Sequence, residues 1–172
     1  FEMTIRENII FGLEGIIDLE DVEDAARKAC VIEPDISWAL PNGLETSIHS
    51  NMKLSDSLRQ RISLARAFAR NTPIMLLDNP LTHQVGYTRA KLLNNILSAT
   101  YTLPYEDPLP CTVIQVTELK SIFPRFDKIA FLEDGSTKEF GTYDELLERR
   151  GSFCEFILRA KLISIDRAGQ AK

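Results

Sequence analysis

Two short runs hold the residue types best placed for chemistry. The first, Leu54-Ser55-Asp56-Ser57-Leu58-Arg59-Gln60-Arg61-Ile62-Ser63-Leu64-Ala65-Arg66-Ala67, reads as a helix that begins with small hydroxyls and one carboxylate. A helix N-terminus gathers unpaired N–H groups and a partial positive charge, so it is where a phosphate would be met. The second run, Pro73-Ile74-Met75-Leu76-Leu77-Asp78-Asn79-Pro80, is continuously apolar until Asp78. That pattern predicts a strand buried on both faces of a parallel sheet. An aspartate ending such a strand can cap the following turn, and that is the expected role. His49 and His83 are too few, and too far apart, for a histidine metal site. Cys30, Cys111 and Cys154 lack the paired spacing of a disulfide framework or a zinc site and fit a reducing compartment.

The elements that must carry these runs are legible from periodicity and punctuation. Asp18 is placed to cap a helix with Leu19, Val22, Ala26 and Ala29 on one stripe, and Pro34 suits a first helical turn that Pro41-Asn42-Gly43 ends. Residues 18–70 therefore read as mostly helical. Leu58, Ile62, Ala65 and Ala69 form the buried side of the next helix, which leaves Arg59-Gln60-Arg61 and Arg66 as a solvated face. Leu92, Leu93, Ile96 and Leu97 share a further helical face. Tyr101 to Pro110 holds three prolines and reads as a loop. Thr112 to Val116 is a second buried strand, and Asp127 to Leu132 with Ser136 to Phe140 makes a hairpin about Asp134-Gly135. Thr142 with Glu145 and Ser152 with Glu155 have capping-box spacing, and Phe153, Phe156, Ile157 and Ala160 supply a last core face. Trp38 and the phenylalanines read as core or subdomain-interface residues, and the tail after Ser164 as frayed. Strands alternating with helices predict an α/β fold with its ligand edge at the carboxyl ends of the strands.

These runs resemble the signature helix and Walker B strand of ABC-transporter nucleotide-binding domains. Phe1 with Thr4-Ile5-Arg6-Glu7-Asn8-Ile9, Leu40-Pro41-Asn42-Gly43-Leu44-Glu45-Thr46, Asp127-Lys128-Ile129 with Asp134-Gly135, and Gly141-Thr142-Tyr143-Asp144-Glu145-Leu146-Leu147 resemble further blocks of the same family, in the right order. The wording is that of the multidrug and peptide exporter branch. The resemblance implies a partial RecA-like P-loop NTPase core with an α-helical ABC subdomain. It places the signature-bearing subdomain at 1–70, the partial core at 71–143, and C-terminal helices and a tail at 144–172. Phe1, already inside a motif, reads as a truncated start.

The resemblance also defines what differs. The family's Leu-Ser-Gly-Gly-Gln is here Leu54-Ser55-Asp56-Ser57-Leu58, so Ser55, Asp56, Ser57 and Leu58 are a vestigial nucleotide-binding signature. An Asp56 carboxylate about 5 Å from a phosphate charge, at an effective dielectric near 20, is repelled by roughly 3 kcal/mol. The same carboxylate in a first turn stabilises the helix itself, which is the favoured reading. Asp78 stands at the Walker B position that would hold magnesium. Asn79 replaces the glutamate held to be the general base and cannot accept a proton near neutral pH. Glu118 occupies the switch-histidine position, where a carboxylate repels a γ-phosphate. The D-loop Ser-Ala-Leu-Asp reads Thr82-His83-Gln84-Val85, and residues 46–54, which face the membrane domains in the family, are one residue short. No Gly-x-x-x-x-Gly-Lys-Ser/Thr loop is in the sequence.

A net charge of −5 without a cluster of Lys and Arg argues against nucleic-acid binding. No apolar run reaches the 18 or so residues of a membrane span, so direct membrane insertion is not expected. The family implies ATP and Mg2+ as cofactors. It implies a second nucleotide-binding domain and transporter membrane domains as partners, at the cytoplasmic face of a membrane. The expected function is a degenerate half that pairs with an intact domain without hydrolysing ATP alone. The rivals are a subunit of a composite ATPase site and a fragment of a decayed or incompletely delimited transporter gene.

Overall fold

Ser55 precedes an amphipathic run, and its side chain marks the helix start: Oγ accepts the Leu58 N–H at 3.2 Å, fixing helix α3 over Asp56–Ala69. Two shorter helices pack on α3. Helix α1 (Ile5–Ile10) contributes Ile5 and Ile9, and helix α2 (Leu19–Lys28) contributes Val22, Ala25 and Ala26, against a buried stripe of Leu58, Ile62, Leu64 and Ala65. The structure, a computed structural model, describes residues 1–15, 17–49, 52–103 and 105–159, without the side chains of Asp35 and Ser37. It divides into two units, residues 1–117 and 118–172.

In the first unit, strand β1 (Ile74–Asp78) leads into helix α4 (Gly86–Leu97). The short strands β2 (Thr100–Tyr101) and β3 (Leu109–Pro110) follow, then strand β4 (Thr112–Val116). β1 and β4 pair in parallel, with Leu76 opposite Ile114 and Asp78 opposite Val116. Leu92, Leu93 and Ile96 of α4 are buried as its pattern predicts. The expectation of a strand buried on both faces is corrected. Met75 and Leu77 are buried, but Ile74, Leu76, Ile114 and Val116 are all more than half exposed. Among the described residues no third strand joins this sheet, and the face that carries these four side chains is uncovered.

Residues 18–70 are mostly helical as read, with Pro34–Ala39 and Gly43–Glu45 taking the 3₁₀ form. Other expectations in this unit change. Asp18 sits at the N-cap of α2 without making a side-chain cap bond. Leu19 is exposed, and Ala25 takes its place on the buried stripe. Trp38 is not core: it is 80 % exposed. The stretch expected to be a loop is closed by the β2–β3 ladder, which the Asn71 side chain secures from outside by accepting the Thr102 N–H at 2.8 Å and donating to its carbonyl at 2.9 Å. Pro104 in that stretch lies outside the described residues, as do Ser50 and Asn51 of the shortened 46–54 segment.

The second unit holds the expected hairpin, β5 (Ile129–Glu133) with β6 (Ser136–Gly141). Asp134 and Gly135 have φ of 52° and 72°, the left-handed pair that a two-residue turn needs. A bulge shifts the register between Phe131 and Leu132. Helix α5 (Tyr143–Glu148) follows, then a helix α6 over 152–159. The Thr142–Glu145 capping box is present, whereas the expected Ser152–Glu155 box is corrected. The Glu139 carboxylate of β6 accepts the Phe153 N–H at 2.8 Å, and Glu155 pairs with Arg159 instead. Phe153 and Ile157 are buried, and Ala160 and the tail lie outside the described residues.

Two capping boxes set a pH dependence. Glu7 takes the Thr4 N–H at 2.7 Å, and Glu145 takes the Thr142 N–H at 2.8 Å and faces Lys128 at 3.5 Å. The backbone bond is the main cause that holds each carboxyl below the ordinary glutamate value. A depressed folded-state pKa contributes stability above the unfolded value of about 4.3 and loses it as pH falls through the folded value. The first turns of α1 and α5 are therefore expected to fray below about pH 4, read as falling amide protection at Glu7 and Glu145. Protection that stays constant down to about pH 2.5 would contradict this account.

Candidate functional site

The carboxyl ends of β1 and β4 face the start of α3 through one polar network. Asp78 closes β1 and is exposed, and its Oδ1 accepts the Asn79 amide at 3.3 Å. The expected capping role for Asp78 is corrected, since its side chain meets this amide and not the backbone of the next turn. Asn79 has φ of 46°, in the left-handed region that asparagine tolerates, and its N–H extends the ladder to the Val116 carbonyl at 2.9 Å. The Asn79 carbonyl accepts from Gln60 Nε2 at 2.8 Å and from the Thr82 hydroxyl at 3.1 Å. Gln60 Oε1 in turn accepts the His83 N–H at 3.2 Å and Gln84 Nε2 at 3.1 Å. One glutamine of α3 thus holds three residues of the segment after Asp78.

Gln84 is the buried centre. Its Oε1 accepts from the Ser57 hydroxyl at 2.9 Å and from Arg61 Nε at 3.2 Å, and its Nε2 donates to the Ser57 carbonyl at 2.9 Å as well as to Gln60. A carboxamide has two donor and two acceptor positions, and all four are used here. Arg61, at 5 % exposure, also donates Nη1 to the Cys30 carbonyl at 3.0 Å, which ties the end of α2 to the network. Arg66 Nε donates to the Asn8 carbonyl at 2.9 Å. The solvated-face reading is corrected for both arginines, because their donors satisfy carbonyls of neighbouring elements. Cys30 is buried beside Arg61, and burial pushes its thiol up to about 11, which makes it inert rather than nucleophilic.

The residues at the signature positions divide. Ser55 and Asp56 are exposed, Asp56 forming an i, i+3 pair with Arg59 at 3.9 Å. Ser57 is turned to Gln84, and Leu58 is buried. The network therefore joins Ser57, through Gln84 and Gln60, to Asn79 and its neighbour Asp78, whereas Ser55 and Asp56 bond within α3. Glu118 is exposed and is the first residue of the second unit. Sequence reasoning missed Gln84 and Gln60 as organisers. The available signal was a glutamine at a position where the family keeps an apolar leucine.

Comparison with known proteins decides the family. The chain is 35 % identical over 160 residues to an ATP-dependent lipid A-core flippase of Coxiella burnetii, covering 90 % of this chain and 25 % of that protein. It is 38 % identical over 148 residues to an uncharacterized ABC transporter ATP-binding protein, YfiB, of Bacillus subtilis, covering 86 % of this chain and 24 % of that protein. Its fold matches a bacterial Atm1-family ABC exporter with ATP bound at a TM-score of 0.78 and 28 % identity, over 93 % of this chain and 26 % of that one. This chain belongs to the nucleotide-binding domains of ABC transporters, of the exporter type. No family model matches it. The ABC chain spans about a quarter of the length of these relatives.

The family uses ATP with magnesium, and the fit of that group to the ABC chain's own residues is poor. Magnesium is held by one or two carboxylates plus substrate phosphates, so Asp78 alone would suffice only if the phosphates were held elsewhere. Among the described residues no group of three His, Cys, Asp or Glu side chains could hold a metal. The first turn of α3 carries the Asp56 carboxylate and commits the Ser57 hydroxyl to Gln84. These residues do not by themselves build a triphosphate site.

Proposed function

We propose that the chain is a non-hydrolysing part of an export-type ABC nucleotide-binding domain, acting by pairing with an intact domain that supplies its own P-loop. In this reading residues 1–70 present the signature end, 71–143 form the partial core and 144–172 complete the C-terminal side. The carrying observation is the closed first turn of α3, where Asp56 adds negative charge and the Ser57 hydroxyl is held by Gln84. The exposed aliphatic face of the β1–β4 sheet supports a chain that works within a larger assembly. No described helix is long and apolar enough to cross a membrane, so the membrane domains of such a transporter would be other segments or chains, and the site of action its cytoplasmic face.

Asn79 and Glu118, at the positions of the catalytic glutamate and switch histidine, give this part no general base and no donor to a γ-phosphate. The exposed Asp78 favours a second reading, a composite ATPase site in which the partner holds the phosphates and Ser55 and Asp78 complete it. The test mixes the full chain with a P-loop-bearing exporter domain and follows association and turnover with and without magnesium-ATP. Association that needs nucleotide, with turnover no higher than the partner's own, is the expected result. Added turnover that Ser55→Arg removes would establish the composite site. Turnover by the chain alone, abolished by Asp78→Ala, would overturn both readings.

A further inference from the structure

Two departures from the family pattern meet in space. Ser57 stands at the second glycine of the signature and Gln84 at the leucine of the D-loop, 27 positions apart in sequence. Gln84 grips Ser57 twice, accepting from its hydroxyl at 2.9 Å and donating to its carbonyl at 2.9 Å. Glycine at 57 would have no hydroxyl to give, and leucine at 84 could neither accept from Ser57 and Arg61 nor donate to Gln60. Gln84 is itself 1 % exposed, so water cannot replace a missing partner. Its backbone is anchored as well, the carbonyl accepting from Arg89 Nε at 2.6 Å.

We propose that Gln84 is a positioning residue that fastens the first turn of α3 to the segment after Asp78, and that Ser57 and Gln84 act as one unit in fixing the direction of that helix end. The pairing sets how the signature end is presented to any partner, a consequence that rests on the reading under Proposed function. The physical coupling is measurable in the chain alone. Failure of a partner to associate leaves this inference standing, and failure here leaves the association test standing.

The experiment is a double-mutant cycle on the full chain with Ser57→Ala and Gln84→Met, read by amide exchange at Leu58 and Arg59. Methionine keeps the volume of glutamine without its hydrogen bonds, and alanine keeps helix propensity, so both variants are expected to fold. Gln84→Met is expected to speed exchange of these amides about tenfold while the β5–β6 amides stay unchanged. Ser57→Ala is expected to speed exchange several-fold in the native background and less than about twofold beside Gln84→Met. Equal factors in the two backgrounds would overturn the coupling. Native protection in Gln84→Met would also overturn it, since shape alone would then hold the turn.

Discussion

Arg61→Ala is expected to lower stability by about 3 kcal/mol in urea unfolding, among the largest losses available in the first unit. The guanidinium donates to the Cys30 carbonyl at 3.0 Å and to Gln84 Oε1 at 3.2 Å, and removing it takes the donor from the Cys30 carbonyl and leaves Gln84 Oε1 with the Ser57 hydroxyl alone. A hydrogen bond to a charged group contributes about 1.5–3 kcal/mol, and the buried methylene stem adds packing that alanine does not supply. Burying the guanidinium has its own desolvation cost, which is why the expected loss stays near the value of one strong bond and part of a second. Arg61→Lys should recover less than half of the loss, because one ammonium cannot serve both acceptors in the planar fork geometry. A loss under about 1 kcal/mol for Arg61→Ala would mean that the network follows the fold without supporting it.

Phe153→Ala is expected to cost about 3–5 kcal/mol, read in the second unit. Its ring lies 5.9 Å from Phe123, 5.8 Å from Phe131 and 6.0 Å from Tyr143 between centroids, the last two edge-on. Edge-to-face arrangements are favoured by the ring quadrupole, and a 1 % exposed phenylalanine leaves a cavity when truncated. The same residue lies in the first turn of α6, where the Glu139 carboxylate holds its N–H. Phe153→Leu should cost about 1–2 kcal/mol, since it keeps most of the volume and the backbone bond. Amide exchange of β5 and β6 is the measurement, and native exchange in Phe153→Ala would contradict the assignment of this ring as the unit's core.

What could be read in advance followed local chemistry. Ser55 before Leu58 and Ile62, Thr142 before Glu145, and Asp134-Gly135 between two apolar runs each specify an element by short-range bonding, and each is found. The β1 strand was legible as a strand but not in its exposure. An apolar run reports preference for burial and says nothing about whether both of its faces are covered. Arg61 and Arg66 were misread because helical periodicity assigns charged positions to solvent. The carbonyls that receive them, from Cys30 and Asn8, come from segments distant in sequence. The same limit applies to the candidate site. Asp78 and Ser55 are visible one at a time, whereas Gln60 and Gln84 gain meaning only when folding places them together. Ser152–Glu155 had the correct spacing and lost to Glu139, a carboxylate supplied by tertiary structure.

The fourfold saturated amide of Gln84 has a consequence for descent. Glycine at position 57 would leave Gln84 Oε1 with Arg61 alone, and leucine at 84 would remove the acceptor of the Ser57 hydroxyl and one of the two donors to Gln60 Oε1. Positions 57 and 84 are therefore expected to vary together among related sequences, serine with glutamine or glycine with leucine, and seldom in the mixed combinations.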